Sequence, residues 1–129
     1  MAGEPEGVVR QMFEALDRMD ISRMQQVIAE DAQSVDEISR RWLRSKGELG
    51  DYLKQLGGAV SDVRTELRDV HEQAWGDAGV VTCWLEQDYT MEGAGQHVSA
   101  PTTVVLRREK GEWRITLFHS VPLPEGLPG

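Results

Sequence analysis

The sequence predicts an α+β fold in which helices come first and an antiparallel sheet follows. Three observations predict it. Apolar residues recur at helical spacing in the first half, the period changes to two from about residue 62, and three clusters of turn residues divide the second half into strands. The 129 residues, 40% hydrophobic and 28% charged, suit a single domain spanning 1–129. We expect the helices to cover one face of the sheet.

Two helices are expected at the start of the chain. Residues 5–19 carry an apolar stripe at helical spacing, and Pro5 suits a first helical turn. A second, short helix follows, with Asp20 or Ser22 as its N-cap. Each helix presents one apolar side, which the sheet is expected to cover.

A short strand and a third helix complete the first half. The strand is expected over residues 33–38. The helix is expected to begin at Ser45, because Glu48 three residues later completes a capping-box pattern. Gly57-Gly58 is expected to end it.

Four strands are expected in the second half, because apolar and polar residues alternate there between turn-forming clusters. The proline-rich tail, residues 123–129, cannot extend a central strand. The expected strands are 62–75, 79–91, 98–109 and 112–121.

The charge and the scarcity of metal-binding side chains exclude several classes of function. A net charge of -8 and a pI near 4.8 oppose attraction to nucleic acid or to an anionic membrane. The sequence contains no apolar run long enough to cross a bilayer and no secretory signal, so a cytoplasmic protein is expected. Cys83 is the single cysteine and the three histidines are scattered. We therefore expect no metal and no cofactor.

Four segments together resemble the SnoaL-like branch of the nuclear transport factor two-like superfamily, over about residues 7–122. This resemblance implies a cone, in which a curved antiparallel sheet wraps around three N-terminal helices and leaves a pocket at its open end. The superfamily contains isomerases, cyclases, dehydratases and noncatalytic association domains, and its members commonly pair through the sheet. The segments are VVRQMFEALDRMD, IAEDAQSVDEISRRWLRSKGELGDYL, VHEQAWGDAGVVTCWLEQDY and GEWRITLFHSVP.

Asp36 is the first candidate catalytic residue. The segment AEDAQSVDE resembles the one that carries the proton-abstracting aspartate of ketosteroid isomerases, and Asp36 falls on that aspartate. Met12 and Thr103 stand nearest to the positions where those isomerases have a tyrosine and a neutral aspartic acid, so the oxyanion donors are absent. The alternative is that Asp36 pairs with Arg40 or Arg41, or caps a turn.

His119 is the second candidate catalytic residue. Strict alternation along the last strand places it on the face of Trp113, Ile115 and Leu117, which is the more apolar face and is expected to point inward. There it would act as an acid or would orient a base. The alternative is a hydrogen-bonded histidine of the core or rim. The neighbouring Ser120 is expected to point to the opposite face, which excludes a serine–histidine pair.

Four further residues are candidates for ligand binding. Trp42, Tyr52 and Trp84 are expected to form aromatic walls, although aromatic residues at such spacings also fill cores. Glu86 lies on the same strand face as Trp84 and is expected to add a carboxylate to the lining, the alternative being a solvated pair with Asp88.

Two functions are consistent with these observations. The first is a pocket protein that binds a small, largely apolar molecule between the third helix and the sheet, with acid–base chemistry of the isomerase, cyclase or hydratase type as its catalytic version. The second is a noncatalytic association module, in which the cone is packed shut and the outer sheet face forms a homodimer. A homodimer through the sheet fits both.

Overall fold

The computed structural model of the chain describes residues 4–124, which form three helices and one five-stranded sheet. The predicted α+β fold is confirmed. The helices are α1 (Pro5–Asp17), α2 (Ile21–Gln26) and α3 (Lys46–Ala59), and the strands are β1 (Ile28–Asp36), β2 (Val60–Trp75), β3 (Ala78–Met91), β4 (Ala94–Glu109) and β5 (Glu112–Ser120).

The predicted helix caps are present. Asp20 is the N-cap of α2, and its carboxylate accepts a hydrogen bond from the Arg23 backbone N–H at 3.1 Å. The Ser45 hydroxyl accepts a hydrogen bond from the Glu48 N–H at 3.0 Å. The Glu48 side chain accepts from the Arg44 N–H rather than from that of Ser45, so the reciprocal bond of the capping box is displaced by one residue.

Several element bounds differ from the predicted ones, and strand β4 begins at Ala94, four residues before its predicted start. Helix α1 ends at Asp17, two residues early, whereas α3 continues through Gly57-Gly58 to Ala59. Strand β1 begins at Ile28, five residues before its predicted start. Of the predicted tail, residues 123 and 124 have no regular structure and the remainder lies outside the described residues.

The strand order is β1-β5-β4-β3-β2. Strands β2 to β5 form the predicted antiparallel meander, and β1 joins its edge parallel to β5. Two of the hairpin turns, Glu92-Gly93 and Lys110-Gly111, have positive φ at both residues, from 50° to 81°. Such turns match the right-handed twist of the strands they connect.

Bulges bend the sheet around the helices. The register of β2 against β3 shifts twice, and at each shift an aspartate adopts a left-handed conformation, with φ of 55° at Asp62 and 52° at Asp69. A third shift, at Thr116 in β5, separates the pair Leu106–Ile115 from the pair Val105–Leu117. The curved sheet expected from the resemblance is confirmed.

The main core lies between the helices and the concave face of the sheet, where Val9, Val81, Val104 and Leu106 are fully buried. A second, smaller cluster contains Val60, Val63, Tyr89, Val98 and Ala100. None of the helices within residues 4–124 has the length and hydropathy that a membrane crossing requires.

Candidate functional site

A cavity of about 90 Å³ lies between the three helices and the concave face of the sheet. Most of its lining is apolar. The cavity is smaller than the apolar cavity of roughly 150 Å³ that binds benzene, so a molecule held within it would have to be no larger than benzene. The apolar lining residues are Met12, Phe13, Leu16, Met24, Ile28, Ala32, Ile38, Leu49, Leu53, Leu56, Leu85, Val98, Ile115 and Phe118.

The polar lining residues include Gln33 and Ser34 on β1. The other five, Asp36, Glu37, Tyr52, Gln87 and Ser120, define what we call the polar end of the cavity. These side chains come from four elements, since the end of β1 and the loop after it, α3, β3 and β5 each contribute. The two carboxylates belong to half-buried residues, whereas Tyr52 is 9% exposed. Polar groups gathered at one end of an apolar cavity are typical of a ligand site.

The carboxylate of Asp36 accepts hydrogen bonds from three groups. Its Oδ1 accepts from the backbone N–H groups of Ile38 at 2.9 Å and Ser39 at 2.7 Å, and from the Tyr52 hydroxyl at 2.9 Å. Its Oδ2 accepts only from the same hydroxyl, at 3.1 Å, among the described residues. Asp36 therefore caps the turn that follows β1, and no ion pair joins it to Arg40 or Arg41 in the described part of the chain.

Tyr52 supplies the only side-chain donor to the Asp36 carboxylate within residues 4–124. Burial holds the pKa of Tyr52 far above its ordinary value, and the charge of Asp36 acts in the same direction. The hydroxyl therefore remains protonated and donates. The structure thus brings two of the predicted site residues, Asp36 and Tyr52, into direct contact.

Glu37 is the second carboxylate of the polar end. Its Oε1 accepts a long hydrogen bond from the Tyr89 hydroxyl at 3.4 Å. Burial raises the pKa of Glu37, the Tyr89 hydroxyl and Arg40 oppose that rise, and the Asp36 charge adds to it. Burial likewise raises the pKa of Tyr89, and the Glu37 charge adds to that rise. Glu37 is thus a weakly hydrogen-bonded carboxylate beside an apolar cavity.

Gln87 and Ser120 are held by hydrogen bonds behind the lining. Gln87 donates from its side-chain nitrogen to Thr65 Oγ1 at 3.0 Å, which leaves its amide oxygen without a donor among residues 4–124. Thr102 donates its hydroxyl to the Ala100 carbonyl at 3.1 Å, so the 2.8 Å contact between Thr102 and Ser120 uses the Ser120 hydrogen. Both side chains therefore offer the cavity an acceptor oxygen.

His119 does not face this cavity. Its predicted orientation assumed strict alternation along β5, but the bulge at Thr116 shifts the alternation by one residue. Phe118 and Ser120 consequently line the cavity, whereas His119 is exposed on the outer face, the sheet surface turned away from the helices. There its ring centroid lies 6.1 Å from that of Trp42. The prediction that His119 points inward is wrong.

Trp84 and Glu86 also lie on the outer face. The inward residues of β3 are those of the alternate set, including Leu85 and Gln87. Glu86 bonds there to Arg68 at 2.8 Å and Ser99 at 2.7 Å, and these hydrogen bonds lower its pKa to about 2. The expected placement of these two residues in the ligand site is therefore wrong.

Trp42 is outside the cavity as well, 40% exposed. A bridge between Ser34 and Leu43 adds a short edge to β1 and buries Leu43, so the neighbouring Trp42 points away from the core. The Arg44 guanidinium lies 5.6 Å from the centre of its ring. Of the six predicted site residues, only Asp36 and Tyr52 therefore reach the cavity.

Sequence reasoning missed Glu37, Gln87, Phe118 and Ser120. A signal for Gln87 was present, because its face of β3 also carries Val81, Cys83 and Leu85 and is the more continuously apolar one. No cluster of three His, Cys, Asp or Glu side chains within residues 4–124 has a geometry that could hold a metal ion.

The chain is similar in structure to solved proteins that are described as different functional types. A ketosteroid isomerase-like protein from Erwinia carotovora atroseptica has a TM-score of 0.79 at 20% identity, over 92% of this chain and 93% of that one. A dehydratase candidate of the nuclear transport factor 2-like family, from Streptomyces avermitilis, has a TM-score of 0.83 at 20% identity, over 91% of each chain.

A third similar structure is a calcium/calmodulin-dependent protein kinase II association-domain candidate from Xanthomonas campestris. Its TM-score is 0.81 at 18% identity, over 93% of this chain and 86% of that one. At such identities the likeness shows a shared fold and leaves function open. No match was found among curated protein sequences. The model of the SnoaL-like domain matches residues 6–124, so the chain belongs to the SnoaL-like family.

Proposed function

We propose that this SnoaL-like protein binds a small, largely apolar molecule in the cavity between its helices and its sheet. One observation carries the proposal: Asp36, Tyr52 and Glu37 converge at one end of a cavity whose other walls are apolar. Burial of the ligand's apolar part contributes roughly 25 cal/mol per Å² removed from water. The polar end fixes its orientation.

The proposal is tested by titrating the protein with small aromatic and alicyclic molecules and recording backbone amide NMR shifts. Perturbed resonances should cluster at residues of the cavity. A cavity-filling variant, Ala32→Leu, should abolish the shifts, because Ala32 lines the cavity and is 2% exposed. The matched control is Trp84→Phe on the outer face, which should leave them unchanged. Shifts confined to the outer face would contradict the proposal.

The catalytic version is proton transfer, with Asp36 as the base. Its Oδ2 keeps unused acceptor capacity, and Tyr52 is placed to stabilise charge on the same carboxylate. The isomerase-like and dehydratase-candidate structures share this fold and are consistent with such chemistry. Asp36→Asn should abolish any turnover that a substrate screen finds, while retained turnover would exclude Asp36 as the base.

A second candidate function, homodimeric association, is supported by the outer face. Val80, Val105 and Leu117 lie in register across three neighbouring strands there, and Trp42 is exposed nearby. Leu117→Lys should convert a dimer to a monomer in sedimentation experiments, and Gln26→Lys, an exposed residue of α2 on the helical side of the sheet, is the control. A monomeric wild-type protein would exclude this candidate. A dimer through this face leaves the cavity free, so the two functions are compatible.

A further inference from the structure

The polar end of the cavity presents acceptors without matching donors. Asp36 Oδ2 receives one hydrogen bond, and Glu37 Oε2 receives none from residues 4–124. The oxygens of Gln87 and Ser120 add two neutral acceptors. Each carboxylate oxygen can accept about two hydrogen bonds. A ligand that completes this end must therefore bring donors.

The charged side chains at this end are all negative. No Lys, Arg or His belongs to the described lining of the cavity. Two arginines lie near it and both are exposed: Arg40 Nε donates to the backbone oxygen of Glu37 at 3.2 Å, and Arg44 donates to the Gln33 amide oxygen at 2.7 Å. Neither guanidinium lies within ion-pair distance of Asp36 or Glu37 in the part of the chain that the structure describes. The carboxylates are therefore not neutralised from within the cavity.

A half-buried carboxylate without a cation loses part of its hydration free energy. A cation that donates hydrogen bonds to the carboxylate offsets that loss. Burial raises the pKa of Glu37, and the groups that face it are Asp36 on its own loop, Tyr52 on α3, Tyr89 on β3 and the exposed Arg40. An ammonium group carries three donors and one positive charge, and hydrogen bonds between such groups and carboxylates are about twice as strong as neutral ones.

We propose that the ligand of this cavity is a small lipophilic amine, bound as its ammonium ion. This inference rests on the proposed function, that the cavity binds a ligand. The ammonium donates to Glu37 Oε2 and Asp36 Oδ2, and the apolar group lies among the side chains around Phe13, Phe118 and Leu53. Carboxylic acids are excluded from the same position because two carboxylates repel them.

The test compares three probes of similar size, namely isobutylamine, isobutanol and isobutyrate, by NMR titration at pH 7.5 and low salt. Isobutylamine should bind roughly tenfold more tightly than isobutanol, and isobutyrate should bind most weakly. In Glu37→Gln the ratio of the isobutylamine and isobutanol affinities should fall to about threefold or less. In Glu86→Gln, a charge change on the outer face, the ratio should be unchanged.

A pH titration adds a readout that does not depend on the variant. As pH falls through the pKa of Glu37, the carboxylate is protonated and loses its charge, so the affinity for isobutylamine should fall while the affinity for isobutanol should not. The carboxyl carbon resonance of Glu37 should move on addition of isobutylamine. Equal affinities for isobutylamine and isobutanol would overturn the ammonium assignment and leave the cavity as a neutral-ligand site. Failure of all three probes to bind would overturn the proposed function as well.

Discussion

Tyr52→Phe isolates the contact that organises the polar end of the cavity. The substitution removes one hydroxyl, which donates to Asp36 at 2.9 and 3.1 Å, and it keeps the ring that packs in the core. Asp36 retains its two backbone donors, from Ile38 and Ser39. The charge of the turn is therefore preserved, and only the bond between α3 and the end of β1 is lost.

The expected cost follows from that geometry. A hydrogen bond to a charged group contributes about 1.5–3 kcal/mol. Because Asp36 is half-buried and keeps two donors, the lower part of that range applies, about 1.5–2 kcal/mol. An unfolding entropy of about 2.1 cal/mol/K per residue over 129 residues gives about 0.27 kcal/mol/K, so Tm should fall by about 6–7 °C.

The assay is urea unfolding followed by tryptophan fluorescence, with Tyr89→Phe as the matched control. Tyr89 is also 9% exposed and also donates to a carboxylate, but across 3.4 Å, so its hydroxyl should contribute less than about 0.5 kcal/mol. The difference between the two variants cancels the general effect of removing a phenol oxygen. Losses that agree within about 0.3 kcal/mol would refute the bond between Tyr52 and Asp36.

Three further predictions concern the surrounding fold. Leu43→Ala should cost about 2–5 kcal/mol in urea unfolding because Leu43 is 1% exposed, whereas Trp42→Ala next to it should cost less than about 1 kcal/mol. Gly79→Ala should lower Tm, because the added Cβ would lie 3.2 Å from side-chain atoms of both Pro5 and Trp113. Gly95→Ala should leave Tm unchanged, because its added Cβ meets no atom within 4 Å. Glu86, with its pKa lowered from 4.5 to about 2, should stabilise the fold above pH 4.5; this contribution should vanish as pH falls toward 2, so the stability difference from Glu86→Gln should narrow over that interval.

Helix starts were predictable because their signals are local. The side chains of Asp20 and Ser45 bond backbone groups three residues ahead, and this geometry depends on nothing distant in the chain. The three hairpins were predictable for the same reason, since each turn lies directly between the strands it joins. By contrast, the parallel pairing of β1 with β5 joins residues more than 80 positions apart, and no local pattern encodes it.

The face of each strand was harder to predict than the strand itself. From the sequence, the β3 face with Trp84 and Glu86 is expected to point inward because it holds a tryptophan and two carboxylates. The alternate face is the more apolar one. Apolar content decides which face is buried, because removal of apolar area from water is the main stabilising term. The cavity therefore receives Gln87 from β3, whereas Glu86 remains with its surface partners.

A single bulge determines which chemistry the cavity can hold. With strict alternation along β5, His119 would supply an imidazole opposite Asp36, and acid–base catalysis by a histidine and an aspartate would be available. The extra residue at Thr116 replaces that imidazole with Ser120, so the ionisable groups among the described residues of the polar end are the carboxyl groups of Asp36 and Glu37 and the Tyr52 hydroxyl. Proton transfer in this cavity must therefore begin or end on a carboxylate. A ligand that carries its own exchangeable proton fits such a site better than one that relies on a protein base of neutral pKa.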